Sequence, residues 1–134
     1  MKVFGIVNPP ALGRPRGFSH GLLAPAGSRL LFVAGQTAAD STGHVAARTF
    51  VEQFDACLAR VLTVIEAAGG TAAHVGRMTV YVTNLDEYIA SRELLTPVWK
   101  RHMKEHYPAM ALVEVSRLVD EGAMVEIEAT AAIP

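Results

Sequence analysis

"TFVEQFDACLARVLTVIEAAGGTAAHVGRMTVYVTNL", residues 49–85, changes its hydrophobic period part-way along, and that change decides the fold class. Over its first half Phe50, Phe54, Cys57, Leu58, Val61 and Ile65 recur at three- and four-residue spacing, the pattern of a helix with one apolar stripe. Thr49 is placed to cap that helix, since its hydroxyl can accept from a free N–H of the first turn, and Gly69-Gly70 stops it. Past the glycines the period drops to two. Met78, Val80 and Val82 alternate with Arg77, Thr79, Tyr81 and Thr83, as in a half-buried strand. Cys57 falls on the helical stripe and reads as core packing rather than as a nucleophile.

Toward the C-terminus, "DEYIASRELLTPVWKRHMKEH" predicts a second helix that opens on acidic Asp86-Glu87, at the positive end of its dipole. Pro97 lies inside it and predicts a kink or a break into two helices. "ALVEVSRL" and "AMVEIEATAAI" alternate around Val119-Asp120-Glu121-Gly122, predicting a terminal hairpin. Glu114, Ser116, Glu126 and Glu128 would form its polar face. Toward the N-terminus, "GLLAPAGSRLLFVAGQT" predicts a hairpin turning at Pro25-Ala26-Gly27-Ser28, its second strand ending at Gly35-Gln36. "PPALGRPRG" is a surface loop, and residues 3–6 add a further strand. The order ββ-α-β-α-ββ predicts an α+β fold, with two helices packed on one face of one mixed β-sheet. The other face must then meet water or another subunit.

At 134 residues the chain is expected to form one domain over residues 1–134, hiding roughly two thirds of its unfolded surface. The hydrophobic share is 51%, with 21 alanines that suit close helix–sheet packing. A net charge of −1, with only Lys100-Arg101-His102-Met103-Lys104 as a basic run, argues against a nucleic-acid partner. A single cysteine cannot close an internal disulfide. No run approaches the roughly 18 apolar residues of a membrane span, and the first ten residues are too weakly apolar for a signal peptide, so a cytoplasmic protein without a membrane partner is expected.

Three motifs fail on context. "HMKEH", residues 102–106, has the spacing of a zinc-peptidase helix but is cut short by Tyr107-Pro108 and lacks a third ligand, so no metal is expected. Ser19-His20 are sequence neighbours without a nucleophile elbow. "GSRLLFVAGQ" lacks the lysine of a phosphate loop, and no cofactor is expected. Glu114, Glu126 and Glu128 carry more: a carboxyl group on a sheet face that a partner covers would be desolvated, its pKa raised, and fit for proton transfer.

"RLLFVAGQT", "VIEAAGG", "VGRMTVYVTNLDEY" and "YPAMALVEVSRL…MVEIEATA" together resemble the RidA/YjgF family of enamine/imine deaminases, from about residue 18 to residue 133. The resemblance implies a fold like that of chorismate mutase, a homotrimer with ligand clefts between subunits, and hydrolysis of intermediates such as 2-aminoacrylate to a keto acid and ammonia. It also implies the site residues. Glu126 matches the cleft glutamate and is the candidate catalytic residue, and Gly35 gives close backbone approach to a ligand. Where the imine-hydrolysing members carry Pro-Ala-Arg, this chain has Pro108-Ala109-Met110, so the guanidinium that would hold a carboxylate is absent. The family's tyrosine aligns with Phe18, its Ser/Thr or Cys with Leu112, and its helical Asn falls near Arg92.

Phe18, Gly35, Arg92, Met110 and Leu112 are thus the expected substrate-binding set, in a cleft turned apolar that suits a neutral or hydrophobic ligand. Arg92 is the one residue of the set that could restore the lost charge. Two readings stay open: a divergent hydrolase using Glu126 and water on a small imine, and a non-catalytic trimer binding a small metabolite. Ribonuclease activity, a third, is disfavoured by the charge.

Overall fold

The computed structural model describes residues 2–134. Its strands are β1 (Gly5–Val7), β2 (Gly21–Leu23), β3 (Arg29–Gln36), β4 (Val75–Val82), β5 (Ala109–Glu114) and β6 (Val125–Ile133), and its helices are α1 (Phe50–Ala67) and α2 (Leu85–Met103). β1 and β2 pair with each other as a small ribbon, and the remaining four strands form one mixed sheet in the order β3-β6-β4-β5. Both helices pack on one face of it, as the period change predicts.

The α1 stripe supplies the core. Cys57, Leu58, Val61 and Ile65 have no exposed surface, and they meet Val75, Met78, Val80, Val82, Val125 and Ile127 from the sheet. Each such aliphatic side chain, fully removed from water, stabilises by roughly 1.5–3 kcal/mol. Thr49 caps α1 by accepting from the Glu52 N–H at 3.2 Å, and Gly69 turns the chain at φ +89°, a conformation a Cβ would disfavour. Asn84 caps α2 through the Glu87 N–H at 3.0 Å. Pro97 neither breaks nor divides α2, which runs unbroken to Met103; the proline lies on its exposed side, where water can satisfy the carbonyl left without a donor.

Two expected hairpins are absent, and for one reason. The turn at residues 25–28 joins β2 to β3 without pairing them: β2 pairs with β1 and β3 with β6. Likewise β5 and β6 do not touch, because β4 lies between them, antiparallel to β6 and parallel to β5. A parallel pair needs a long crossover, and α2 is that crossover. The β4–β5 register also corrects one face. Met110 pairs with Met78, Leu112 with Val80 and Glu114 with Val82, so these three lie on the helix side. Glu114 accepts from the Leu85 N–H at 2.9 Å, satisfying a free donor at the start of α2, instead of joining Glu126 on the opposite face.

One buried polar side chain ties the loops to the core. Gln53, 1% exposed, donates to the carbonyls of Ala47 and Gly122 and accepts from the Met124 N–H at 2.8 Å. Gln53→Leu keeps the volume but strips three backbone groups of their partner. Urea unfolding is expected to show a loss of about 2–4 kcal/mol.

Candidate functional site

Chemistry-bearing residues gather in two places, on opposite faces of the sheet. The first is the face away from the helices. Val125 and Ile127 point into the core, so Glu126 and Glu128 between and beside them point out, across from Tyr81 and Thr79 on β4. A register shift in β3 between Val33 and Gln36 sets Gly35 against Glu126. A Cβ at Gly35 would lie 2.5 Å from Glu126 Oε2 and 2.9 Å from its Cδ, so any side chain here would push this carboxyl from its place.

The surroundings of Glu126 are acidic and partly dry. Tyr81 Oη donates to Glu128 Oε2 at 3.1 Å, and Thr37 Oγ1 donates to Asp120 Oδ2 at 2.5 Å. Burial first, then the like charges of Asp120 and Glu128, push the Glu126 carboxyl above the ordinary glutamate range. A carboxyl so placed holds its proton nearer to neutrality and can both give and take it. Leu30, Phe32 and Val113 leave 63%, 75% and 42% of their surface exposed, and all three lie on this same face by register.

The second place is a groove of about 320 Å³ between α2 and the edge strand β5. Met110 and Leu112 form its floor with Val80, and Arg92 stands on its α2 wall. Tyr88, Arg92, Thr96 and Lys100 follow one another at four-residue steps along that wall, and Leu95 and Trp99 lie deeper. Trp99 stacks on Tyr107, ring centroids 6.2 Å apart at 9°. Arg16 and Gly17, from the loop after β1, close one end. No acidic residue lines this groove.

Three of the expected binding residues, Arg92, Met110 and Leu112, thus line one groove, and Gly35 meets Glu126 elsewhere. Within one chain the two groups share no cavity: Met110 pairs with Met78 and Glu126 with Tyr81, three residues along β4 and so on the other face. Phe18 stands edge-on to His20 in an adjoining cleft of about 1010 Å³ under the β1–β2 ribbon. Its neighbour Ser19 holds that loop down through the carbonyls of Tyr107 and Pro108, at 2.7 and 3.1 Å.

The other candidates resolve into structure. His102 Nε2 lies 2.5 Å from Asp55 on α1, which Arg101 also pairs, and these partners hold the Asp55 carboxyl below its usual range. His106 Nε2 reaches the Val75 carbonyl at 2.6 Å, so the two histidines of "HMKEH" face different partners. Burial pushes the Cys57 thiol up to about 12, and no thiolate forms there at neutral pH. No group of three His, Cys, Asp or Glu among the described residues is placed to hold a metal ion. Sequence reasoning passed over Trp99, Tyr88, Lys100 and Arg16 in the groove, and Tyr81, Asp120 and Thr37 around Glu126. The four-residue stripe on α2 was the available signal for the groove; nothing local marks the other three.

The sequence profile of the family described as Endoribonuclease L-PSP matches residues 13–133. The chain belongs to this family, the RidA/YjgF group. A RutC family protein of Pyrococcus horikoshii is 33% identical over 102 residues, 75% of this chain and 77% of the relative. The human 2-iminobutanoate/2-iminopropanoate deaminase is 27% identical over 104 residues, 77% of this chain and 72% of that one. Among solved structures, the Rid family protein YyfB of Yersinia pestis superposes with a TM-score of 0.81 at 27% identity, covering 98% of this chain and 99% of that one. Escherichia coli TdcF, solved with bound serine, superposes with a TM-score of 0.68 at 27% identity over the whole of both chains. Family membership and the RidA/YjgF fold therefore stand on sequence and structure together. No helix among the described residues is long and apolar enough to cross a membrane.

Proposed function

We propose that this RidA/YjgF protein is a homotrimer that binds a small imine- or enamine-type metabolite in clefts between its subunits and hydrolyses it, with Glu126 moving the proton. The observation that carries the reading is the Glu126 carboxyl, set over the bare backbone of Gly35 among Asp120, Glu128 and Tyr81. Hydrolysis of an imine needs a proton on nitrogen and water at carbon, and a carboxyl whose pKa lies closer to neutrality serves both steps. Two of the curated relatives are named as imine deaminases, and TdcF was solved with a small amino acid, which supports a small nitrogenous ligand.

The two-faced site supports assembly. A cleft that uses both Glu126 and the Met110 groove needs two copies of the chain. The outward Leu30, Phe32 and Val113 supply the apolar surface for joining them. The missing guanidinium at position 110 predicts poor turnover of 2-aminoacrylate, whose recognition depends on its carboxylate.

The test generates 2-iminopropionate and a neutral imine in situ and follows carbonyl product and ammonia against the protein-free rate. Acceleration of either supports hydrolysis, and the ratio ranks the substrates. If neither is accelerated, the second reading takes over, a trimer that binds a metabolite without turning it over. Gly35→Ala gives a further check. The added methyl displaces the Glu126 carboxyl, and kcat is expected to fall on the order of 10²-fold, since misplacing a reacting group by about 1 Å costs that much.

A further inference from the structure

β3 does not run regularly to its end. From Val33 to Gln36 it takes three steps where β6 takes two, from Ala129 to Ile127, so β3 carries one extra residue there. Gly35 lies in this bulge against Glu126, and whatever holds the bulge holds the seat of the carboxyl. An extra residue interrupts the ladder, and side chains take over its bonds. Gln36 Nε2 donates to the Ala34 carbonyl at 3.2 Å, within the bulge. Gln36 Oε1 accepts from Arg60 Nε at 3.2 Å, and that bond fixes which way the amide faces.

The second arm of the same guanidinium, Arg60 Nη1, donates to the Ala39 carbonyl. The Ala39 N–H donates to Thr37 Oγ1 at 3.2 Å, and Thr37, 5% exposed, donates to Asp120. Asp120 is one of the two carboxylates whose charge acts on Glu126. The other, Glu128, is held from β4 by Tyr81 and owes nothing to this chain of bonds. Arg60 itself belongs to α1, on the helix side, and reaches these groups past β3 because β3 is the edge strand.

We infer that Arg60 is a positioning residue for the Glu126 site: its one guanidinium ties together the bulge under Glu126 and the loop that anchors Asp120. Its meaning for catalysis rests on the proposed function; its geometry does not. The planar fork presents Nε and Nη1 at a fixed angle to two separate oxygens, and an ammonium on a flexible stem has no such fork.

Two variants test this, Arg60→Lys, which keeps the charge and loses the fork, and Arg60→Gln, which loses both. The first readout needs no substrate: the Glu126 carboxyl is titrated by carbon-13 NMR, its signal assigned with Glu126→Gln. Burial, and then the charges of Asp120 and Glu128, hold this carboxyl above the ordinary range. With the bulge and the Thr37 loop released, water enters and Asp120 moves off, so Glu126 is expected to titrate lower in both variants. A cation acting through charge alone predicts otherwise: no change in Arg60→Lys and a rise in Arg60→Gln. The second readout is imine hydrolysis. In both variants kcat is expected to fall about tenfold, less than for a group moved by about 1 Å, with KM little changed and the pH profile displaced to lower pH. Arg60 is exposed, so thermal melts should stay close to the parent's. A Glu126 titration unmoved in both variants, or moved only in Arg60→Gln and upward, overturns the inference. The two proposals separate cleanly. A parent that hydrolyses no imine removes the proposed catalysis, and the titration still decides the role of Arg60. Hydrolysis by a parent whose Glu126 titrates as in both variants keeps the catalysis and removes that role.

Discussion

Glu126→Gln is expected to lower kcat/KM for imine hydrolysis by about 10²–10⁴-fold, the usual contribution of a positioned general acid–base group. The variant keeps the size and shape of the side chain over Gly35, so the loss reports proton transfer rather than packing. Folding stability should move the other way. The folded-state pKa of Glu126 is raised, so the folded protein binds this proton more tightly than the unfolded chain. Its contribution to stability is then fully present below the unfolded-state pKa and is lost as pH rises through the folded one. Glutamine cannot lose a proton. The variant is therefore expected to match the parent in acid, below about 4.5, and to be the more stable of the two at pH 7. Thermal melts across that range check the sign. A variant that is both inactive and less stable at pH 7 would mean that Glu126 is a structural carboxylate.

Phe32→Asp is expected to break the proposed trimer and leave the subunit folded. Phe32 is 75% exposed in the single chain and pairs with Thr130 on the face that carries Glu126. A phenylalanine that contributes nothing to its own core should tolerate the change, with a denaturation midpoint close to the parent's. At an interface the same substitution buries a charge against an apolar partner. Aromatic anchors of this kind contribute about 2 kcal/mol or more each, about a 30-fold change in affinity, and a threefold assembly would suffer the change at every contact. Sedimentation velocity at micromolar concentration should show the parent near three times the chain mass and the variant near one. Hydrolytic activity should fall with the assembly. A variant that stays trimeric would place the contacts elsewhere, and a parent that sediments as a single chain would remove the inter-subunit cleft.

The elements were legible in the sequence to a degree that their neighbours were not. Periodicity is a property of one segment, so the Phe50–Ile65 stripe and the Met78–Val82 alternation marked a helix and a strand with the right faces inward. Strand pairing is a property of two segments. The residues around Val119–Gly122 look like a hairpin turn, and nothing within them reveals that β4 has taken the place between. Face assignment failed only at β5, because "AMALVE" is apolar on both sides; Ala109, Ala111 and Val113 turn outward, and Glu114 turns toward α2.

The site divides in the same way. Glu126 and Gly35 could be singled out by their resemblance to family positions, but their contact depends on the β3 register shift and spans 91 positions of chain. Tyr88, Arg92, Thr96 and Lys100 carry their own four-residue spacing, yet only the packing of α2 against β5 tells a groove wall from a solvated stripe.

The place of β6 has a consequence for synthesis. This strand lies between β3 and β4 and pairs with both, although it is made after both of them. β4, α2 and β5 can associate as a parallel unit once residue 114 is free, but β3 waits for residues 125–133 with its backbone edge unpaired. At about 5–20 residues per second residues 115–133 follow within seconds, and during them the unpaired β3 edge is open to other strands. Only with β6 in place are β3 and β4 joined into one sheet over α1.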